Sequence, residues 1–122
     1  MWRELQMQRN VILDKSKSFA VRIIKLYKFL ISRTNEYDLS RQLLRCGTSI
    51  GANVVEANDA ISRKDFLNKM YIALKECSET LYWLELLFRT DYINQLQYDS
   101  IVSDCLELHR ILRSITKTAK ET

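Results

Sequence analysis

The stretch YDSIVSDCLELHRILRSITKTA, residues 98–119, carries apolar side chains at an unbroken heptad spacing. The apolar positions alternate steps of three and four residues, which places them on one side of an α-helix. Neither proline nor glycine interrupts the stretch. The pattern predicts a helix over about residues 95–120. Its buried stripe is predicted to be Tyr98, Ile101, Cys105, Leu108, Leu112, Ile115 and Ala119.

Three more amphipathic stretches precede this one, over about residues 13–33, 39–60 and 63–90. Ser62, with Asp65 three residues on, resembles a capping box and predicts the start of the third helix. Long helices with short connections pack as antiparallel neighbours. We therefore predict an all-α, up-down-up-down antiparallel four-helix bundle in a single domain, residues 1–122. The predicted buried side chains of the first three helices are Phe19, Ala20, Ile23, Ile24, Leu26, Tyr27, Leu30 and Ile31; Leu39, Leu43, Cys46, Ile50, Val54, Ala57 and Ile61; and Phe66, Met70, Ala73, Cys77, Leu81, Leu84 and Phe88.

The composition agrees with few long helices. The 122 residues include no proline and only two glycines, whereas a sheet protein needs turn residues at every hairpin. No apolar run approaches the roughly 18 residues of a membrane span, and the start lacks the features of a secretory signal. We therefore expect a cytoplasmic protein with no membrane partner. Cys46, Cys77 and Cys105 fall at core-facing positions without CxxC spacing, so we interpret them as reduced apolar fillers.

The two glycines, Gly47 and Gly51, lie four residues apart inside the second helix. Each costs about 1 kcal/mol of helix propensity relative to alanine. Because the helical pattern continues through both, a turn is a poor explanation. Close approach of a neighbouring helix explains them better, and Tyr27 is the bulky neighbour that we expect there.

Templates for catalysis and for metal binding are missing. A single histidine, His109, excludes multi-histidine zinc sites and the paired Glu-x-x-His motifs of di-iron bundles. The chain has no phosphate-binding glycine loop and no nucleophile elbow. We expect no enzyme activity, no catalytic residue, no cofactor and no metal. A minor alternative is a site between subunits formed by Glu56, Glu76 and Glu79.

Positive charge is concentrated towards the two ends of the chain. Residues 1–33 carry eight Lys or Arg against two Asp or Glu, and residues 110–122 carry four against one. Residues 34–109 carry seven against twelve. These basic side chains either solvate the outer helix faces or contact the phosphates of RNA or single-stranded DNA. The nucleic-acid-binding candidates are Lys15, Lys17, Arg22, Lys25, Lys28, Arg110, Arg113, Lys117 and Lys120.

Helices two and three each carry a second set of distinctive residues away from the core stripe. On helix three, Trp83 is aligned with two carboxylates and two apolar residues, which is unusual for a solvated face. We interpret the set as a subunit interface, with Trp83 as an anchor and with Glu76 and Glu79 paired to basic groups of a neighbouring subunit. A solvated face with a partly covered Trp83 is the alternative. On helix two, Glu56 lies away from the core stripe and needs a basic partner if it is buried in such a contact; Arg41 and Arg45 are the candidates, in the same subunit or across subunits. The interface candidates are Arg45, Ser49, Asn53, Glu56, Ile72, Glu76, Glu79, Trp83 and Leu86.

Two motifs carry a family resemblance. RCGTSIGANVVEA, residues 45–57, has the pattern S-I-x-x-N-x-x-E, and YIALKECSETLYWLELL, residues 71–87, is close to K-E-x-x-E-T-x-Y-W-L. The chain thereby resembles the bacterial four-helix-bundle family also known as 23S rRNA intervening-sequence proteins, over about residues 15–118. Ala57 stands where a glycine is common in that family.

The resemblance implies a homo-oligomer, with a pentamer favoured. It also implies kinship to the accessory variability protein of diversity-generating retroelements, a pentameric bundle that binds a reverse transcriptase and nucleic acid through basic surfaces. It implies no activity, because the role of most members is unknown.

Two hypotheses about function follow. The first is a non-catalytic oligomeric module that binds RNA or single-stranded DNA through the basic outer faces of helices one and four. The alternative is an interaction scaffold for a protein partner such as a polymerase, which needs only the second face of helix three and the exposed Val21 and Phe29.

Overall fold

The computed structural model describes residues 2–121, and in this range it consists of four α-helices and no strand. The helices are α1 (Trp2–Phe29), α2 (Asp38–Asn58), α3 (Arg63–Arg89) and α4 (Gln95–Glu121). A π-helical turn, Leu30–Thr34, extends α1, and Asn35 follows it in the left-handed conformation with φ of 57°. The all-helical prediction is confirmed.

Each helix packs antiparallel to its neighbours in the chain, and α1 also packs against α4. Along the α1–α4 contact, Gln8 Nε2 donates to Ser114 Oγ over 2.6 Å near one end. Further along α1, Arg22 Nη1 lies 2.6 Å from Asp104 Oδ2. Rising numbers on α1 therefore meet falling numbers on α4, as an up-down-up-down bundle requires.

Helix α1 begins at Trp2, and the prediction of a start near residue 13 is wrong. Leu5 and Ile12 are buried in the same core as Phe19, each seven residues from the next. The many polar residues of the first ten positions obscured this stripe. The additional turns extend α1 along the full length of α4.

The connection between α2 and α3, residues 59–62, is two residues longer than predicted. Helix α2 ends at Asn58, and Ile61, predicted to be buried, is 96% exposed in the connection. Ser62 Oγ accepts a hydrogen bond from the backbone N–H of Asp65 over 3.0 Å, so the predicted cap is confirmed. The chain must leave the helix before Ser62 can cap the next one, and this places Ile61 outside the core.

The core stripes otherwise follow the predictions closely, with local shifts. On α3, Thr80 and Leu87 are fully buried, whereas Leu81 and Phe88, their predicted equivalents, are only half-buried. Ile24 on α1 is 39% exposed. A straight α-helix turns by 100° per residue, so a strict heptad stripe drifts around its surface and a neighbouring residue takes over the buried position.

Gly47 and Gly51 allow α2 to approach α1 closely, as predicted. A Cβ atom added to Gly47 would lie 2.8 Å from Ile23 Cγ1, and one added to Gly51 would lie 3.4 Å from the Ser16 carbonyl oxygen. The neighbours are thus Ile23 and Ser16, and the expectation of Tyr27 is wrong. Both glycines keep negative φ angles, so their role is to provide space rather than an unusual backbone conformation.

All three cysteines are buried and unbridged, as predicted. Cys77 and Cys105 meet between α3 and α4 with their sulfur atoms 3.7 Å apart. Burial raises the pKa of the Cys46 thiol to about 11. The hydrogen bond with Cys77 and burial both raise the pKa of Cys105. The Cys46 and Cys105 thiols therefore stay protonated at neutral pH, and all three buried cysteines behave as packing groups.

Candidate nucleic-acid and assembly surfaces

Seven of the nine basic candidates lie on exposed positions without a carboxylate partner anywhere in residues 2–121. Their ammonium and guanidinium groups are available to phosphate oxygens. Nucleic-acid binding stays a prediction. The seven residues are Lys17, Lys25, Lys28, Arg110, Arg113, Lys117 and Lys120.

The other two candidates are engaged within the chain. Lys15 Nζ lies 3.0 Å from Glu107 Oε2, and Arg22 lies 2.6 Å from Asp104. Arg22 Nη2 also donates to Ser100 Oγ over 2.9 Å. These two side chains hold α1 against α4 and are poorly placed to bind phosphate.

The antiparallel register separates the free cations into two groups. Lys17, Lys25 and Lys28 lie at exposed positions in the second half of α1, which runs alongside the first half of α4. Arg110 lies near the first turns of α1, where it lines a shallow groove with Arg3. The two groups therefore do not form one continuous stripe along the α1–α4 contact.

The interface candidates of α2 and α3 contact one another inside the subunit. Arg45 Nη1 donates to Glu76 Oε2 over 3.3 Å, and Arg45 Nη2 donates to Glu79 Oε2. The same Glu79 oxygen accepts a hydrogen bond of 2.9 Å from Trp83 Nε1. We call Arg45, Glu76, Glu79 and Trp83 the Arg45 cluster. Its charges are paired within the chain, whereas Glu76 and Glu79 were predicted to pair with basic groups of a neighbouring subunit.

Trp83 is half-buried in the single chain. Its ring packs against the core and meets the Tyr82 ring edge-on, with centroids 5.0 Å apart. Next to it, Leu86 is half-buried, and Ile72, one turn before Glu76, is 40% exposed. Ile72 is therefore the apolar member of the predicted interface that is exposed, whereas Trp83 and Leu86 are half-buried.

The remaining motif residues of α2 also have partners within the chain. Ser49 Oγ donates to the Arg45 carbonyl over 2.6 Å, and Asn53 Nδ2 donates to the Ser49 carbonyl over 2.8 Å. Glu56 pairs with Lys69 on α3, 3.0 Å away. Within the chain neither Arg41 nor Arg45 pairs with Glu56, so the same-subunit form of the expected pairing is wrong for this carboxylate. Hydrogen bonding to Glu56 raises the pKa of Lys69.

One polar group with a structural role was not predicted from the sequence. Glu36 precedes α2 and accepts hydrogen bonds from the backbone N–H groups of Leu39 and Ser40, over 3.0 and 2.8 Å. Burial pushes the pKa of Glu36 up, but these hydrogen bonds outweigh it and the pKa is lowered. The signal was available in the sequence, because a carboxylate just before a helical pattern is typical of a cap.

His109 lies at the boundary between core and solvent, as expected for a lone histidine. Its Nε2 is 3.2 Å from Ser78 Oγ on α3. Burial and the nearby Arg113 charge lower the pKa of His109, so it is neutral at pH 7.

The carboxylates considered for a site between subunits are all ion-paired, Glu56 with Lys69 and the other two with Arg45. Within residues 2–121, no three His, Cys, Asp or Glu side chains are grouped so that they could hold a metal ion. No helix in the described range is long and apolar enough to cross a membrane.

These features define the class of the protein as a small antiparallel four-helix bundle with charged outer faces. The model of the 23S rRNA-intervening sequence protein family matches residues 8–114, and the chain belongs to this family. No curated protein matches the chain.

A solved structure is closely similar. It is a crystal structure at 1.70 Å of a protein with unknown function from the S23 ribosomal protein family of Bacteroides thetaiotaomicron VPI-5482. The two chains are 57% identical and superpose with a TM-score of 0.89, covering 90% of this chain and 98% of the other. Family membership thus supports the fold and leaves the biochemical role open.

Proposed function

We propose that this protein is a non-catalytic homo-oligomer that binds RNA or single-stranded DNA through phosphate contacts. The observation that carries the proposal is the set of seven exposed cations without carboxylate partners, distributed over α1 and α4. The uncovered positive charge lies on outer faces, where a flexible polyanion has access to it.

The contacts proposed are with the phosphate backbone. No motif among the candidates is suited to reading base edges, so binding is expected to depend little on sequence. Each subunit offers two modest groups of cations. An assembly presents several copies of these groups to one nucleic-acid strand. The overall affinity rises, because a strand already bound to one subunit contacts the next subunit in an intramolecular step.

Self-association is proposed with a pentamer as the favoured form, following the family resemblance. Apolar surface left uncovered in the single chain supports it. Large apolar side chains are exposed on three helices, namely Met7 at 68%, Ile72 at 40%, Tyr82 at 55%, Leu96 at 81% and Leu106 at 47%.

Fluorescence anisotropy with a labelled single-stranded RNA tests the proposal. The dissociation constant should rise steeply with salt, by about 0.7 logarithmic units per logarithmic unit of salt for each phosphate contacted. The double substitution Lys25→Gln/Lys28→Gln should weaken binding and reduce this slope. Lys64→Gln/Lys75→Gln, which removes the same charge from exposed positions on α3, is the matched control. Absence of binding to RNA and to DNA at low salt would refute the proposal.

The second candidate function is a scaffold for a protein partner. It is favoured by Val21 and Phe29, which remain 52% and 37% exposed on α1 among the lysines. Purification from native cells with and without nuclease separates the two functions. A protein partner retained after nuclease treatment supports the scaffold, and a partner lost with the nucleic acid supports the first proposal.

A further inference from the structure

One end of the bundle contains a cavity of about 340 Å³. It lies where the start of α1, the α2–α3 connection and the end of α4 meet. Its size is within the range of pockets that hold small molecules. The apolar part of its lining consists of Leu5, Ala57, Ala60, Phe66 and Ala119.

Arg9 lines this cavity and is incompletely satisfied. Its Cζ lies 4.6 Å from the centre of the Phe66 ring, and its Nη2 donates to Asn58 Oδ1 over a long 3.3 Å. Its Nε atom is buried and has no hydrogen-bond partner. A buried N–H group without an acceptor costs free energy, so this guanidinium is set up for a further acceptor.

Arg63 lines the same cavity from the start of α3. Its Nε and Nη2 donate to the carbonyl oxygen of Ala119, over 3.2 and 2.9 Å. Within residues 2–121, no carboxylate lies at ion-pair distance from Arg63 or from Arg9. Two guanidinium groups thus border one apolar cavity, with no anion supplied by the described part of the chain.

We propose that this cavity binds a small molecule that has an apolar body and an oxyanion, either a carboxylate or a phosphate. The apolar lining contacts the body, and the guanidinium groups donate hydrogen bonds to the oxyanion. The two arginines select against neutral apolar molecules, and the apolar lining selects against small free anions. The site is separate from the exposed lysines of α1 and independent of the proposed nucleic-acid function.

Isothermal titration calorimetry on the full chain tests the proposal with octanoate and octyl phosphate as probes. At least one of them should bind saturably at one site per subunit, and the tighter of the two identifies the oxyanion. Inorganic phosphate and acetate supply the anion alone, and octanol supplies the apolar body alone; each should bind at least about tenfold more weakly. The proposal is overturned if neither octyl probe saturates, or if octanol binds as tightly as they do.

Three variants locate the site. Arg9→Gln and Arg63→Gln should each weaken the better probe about tenfold. Ala60→Phe should abolish binding by filling the cavity without changing any charge. Arg33→Gln removes an exposed arginine at the opposite end of the bundle and should leave the affinity unchanged.

Circular dichroism establishes that each variant is folded. If the arginine variants unfold, Ala60→Phe decides alone. Unchanged binding by Ala60→Phe, or an equal loss in Arg33→Gln, overturns the proposal. RNA binding by Ala60→Phe should equal that of the unmodified chain. The outcome of the cavity test is therefore independent of the nucleic-acid proposal.

Discussion

Gly47 on α2 lies directly against the side chain of Ile23 on α1, so closely that a Cβ atom there would be 2.8 Å from Ile23 Cγ1 and 2.9 Å from Cγ2. Ile23 is fully buried, and its Cγ atoms are held close to the backbone, so it has little freedom to move away. Gly51, one turn later, meets the Ser16 backbone at 3.4 Å, an ordinary contact distance. Gly47 is therefore required for the close contact between α1 and α2, whereas position 51 has room for a Cβ atom.

Alanine substitutions should separate the two glycines. Gly47→Ala gains about 1 kcal/mol of helix propensity but loses about 1 to 3 kcal/mol by overpacking, so we expect a net loss of stability. Gly51→Ala fits and should be neutral or stabilising by up to about 1 kcal/mol. Urea denaturation measures both free energies of unfolding. A Gly47→Ala variant as stable as Gly51→Ala contradicts the packing described.

A larger side chain at Gly51 should have the opposite effect. Leucine extends beyond Cβ into the Ser16 backbone, which cannot rotate away as a side chain can. We expect Gly51→Leu to lower the melting temperature or to disrupt assembly. Melting curves and native mass of this variant, compared with those of Gly51→Ala, provide the test, and unchanged values would show that α1 and α2 are not close there.

The sequence was sufficient to predict the elements of the fold. The heptad spacing of α4 and the Ser62–Asp65 cap are local features. Each can be recognised within the sequence of one helix, without knowledge of its neighbours. The apolar stripe Leu5, Ile12 and Phe19 of α1 is also present in the sequence. It was missed because most of the first ten residues are polar.

What the sequence could not settle was the register between helices. Whether Gly47 contacts Ile23 or Tyr27 depends on the axial offset between α1 and α2. This offset cannot be determined from the sequence of either helix alone. The pairing of Lys15 with Glu107 likewise depends on the offset of α4. For this reason neither the ion pairs of Lys15 and Arg22 nor the division of the other basic residues into two groups was predicted from the sequence.

The Arg45 cluster should stabilise the bundle more than an ordinary surface ion pair does. The Glu76 and Glu79 side chains are only 19% and 34% exposed, and removing Arg45 leaves both charges without a cation. Because Arg45 itself is 50% exposed, solvent screening limits the expected loss for Arg45→Met to about 1 kcal/mol.

Arg89→Met is the matched control for this prediction. It breaks a pair with Glu85 whose side chains are 71% and 52% exposed, and such pairs contribute about 0.3 to 0.5 kcal/mol. Urea denaturation at equal salt compares the two variants. Equal losses would mean that the Arg45 cluster has no special structural role.

Glu36 should contribute to acid sensitivity. Because its pKa in the folded chain is below the ordinary value of 4.5, its contribution is present above pH 4.5 and is lost as the pH falls through the folded-state pKa. Glu36→Gln should cost about 1 kcal/mol at pH 7 through the weakened cap. The difference in stability between the two proteins should shrink below pH 4.5. A constant difference across pH 7 to pH 3 would contradict this assignment.

The buried thiols should be unreactive until the bundle opens. Cys46 has a pKa of about 11, and all three cysteines are enclosed by the core. A thiol reagent added to the native protein at pH 8 should therefore modify them only at the rate of unfolding. The same reagent in 6 M urea is the control and should modify all three rapidly. Fast modification of the native protein would show that the core opens readily without global unfolding.

Native mass spectrometry of the purified protein, with a measurement of bound nucleic acid on the same sample, tests the central proposal most directly. We expect one assembly of several subunits, a pentamer by the family resemblance, that retains nucleic acid at low salt and releases it as salt is raised. A monomer free of nucleic acid at low salt would contradict both the assembly and the binding function.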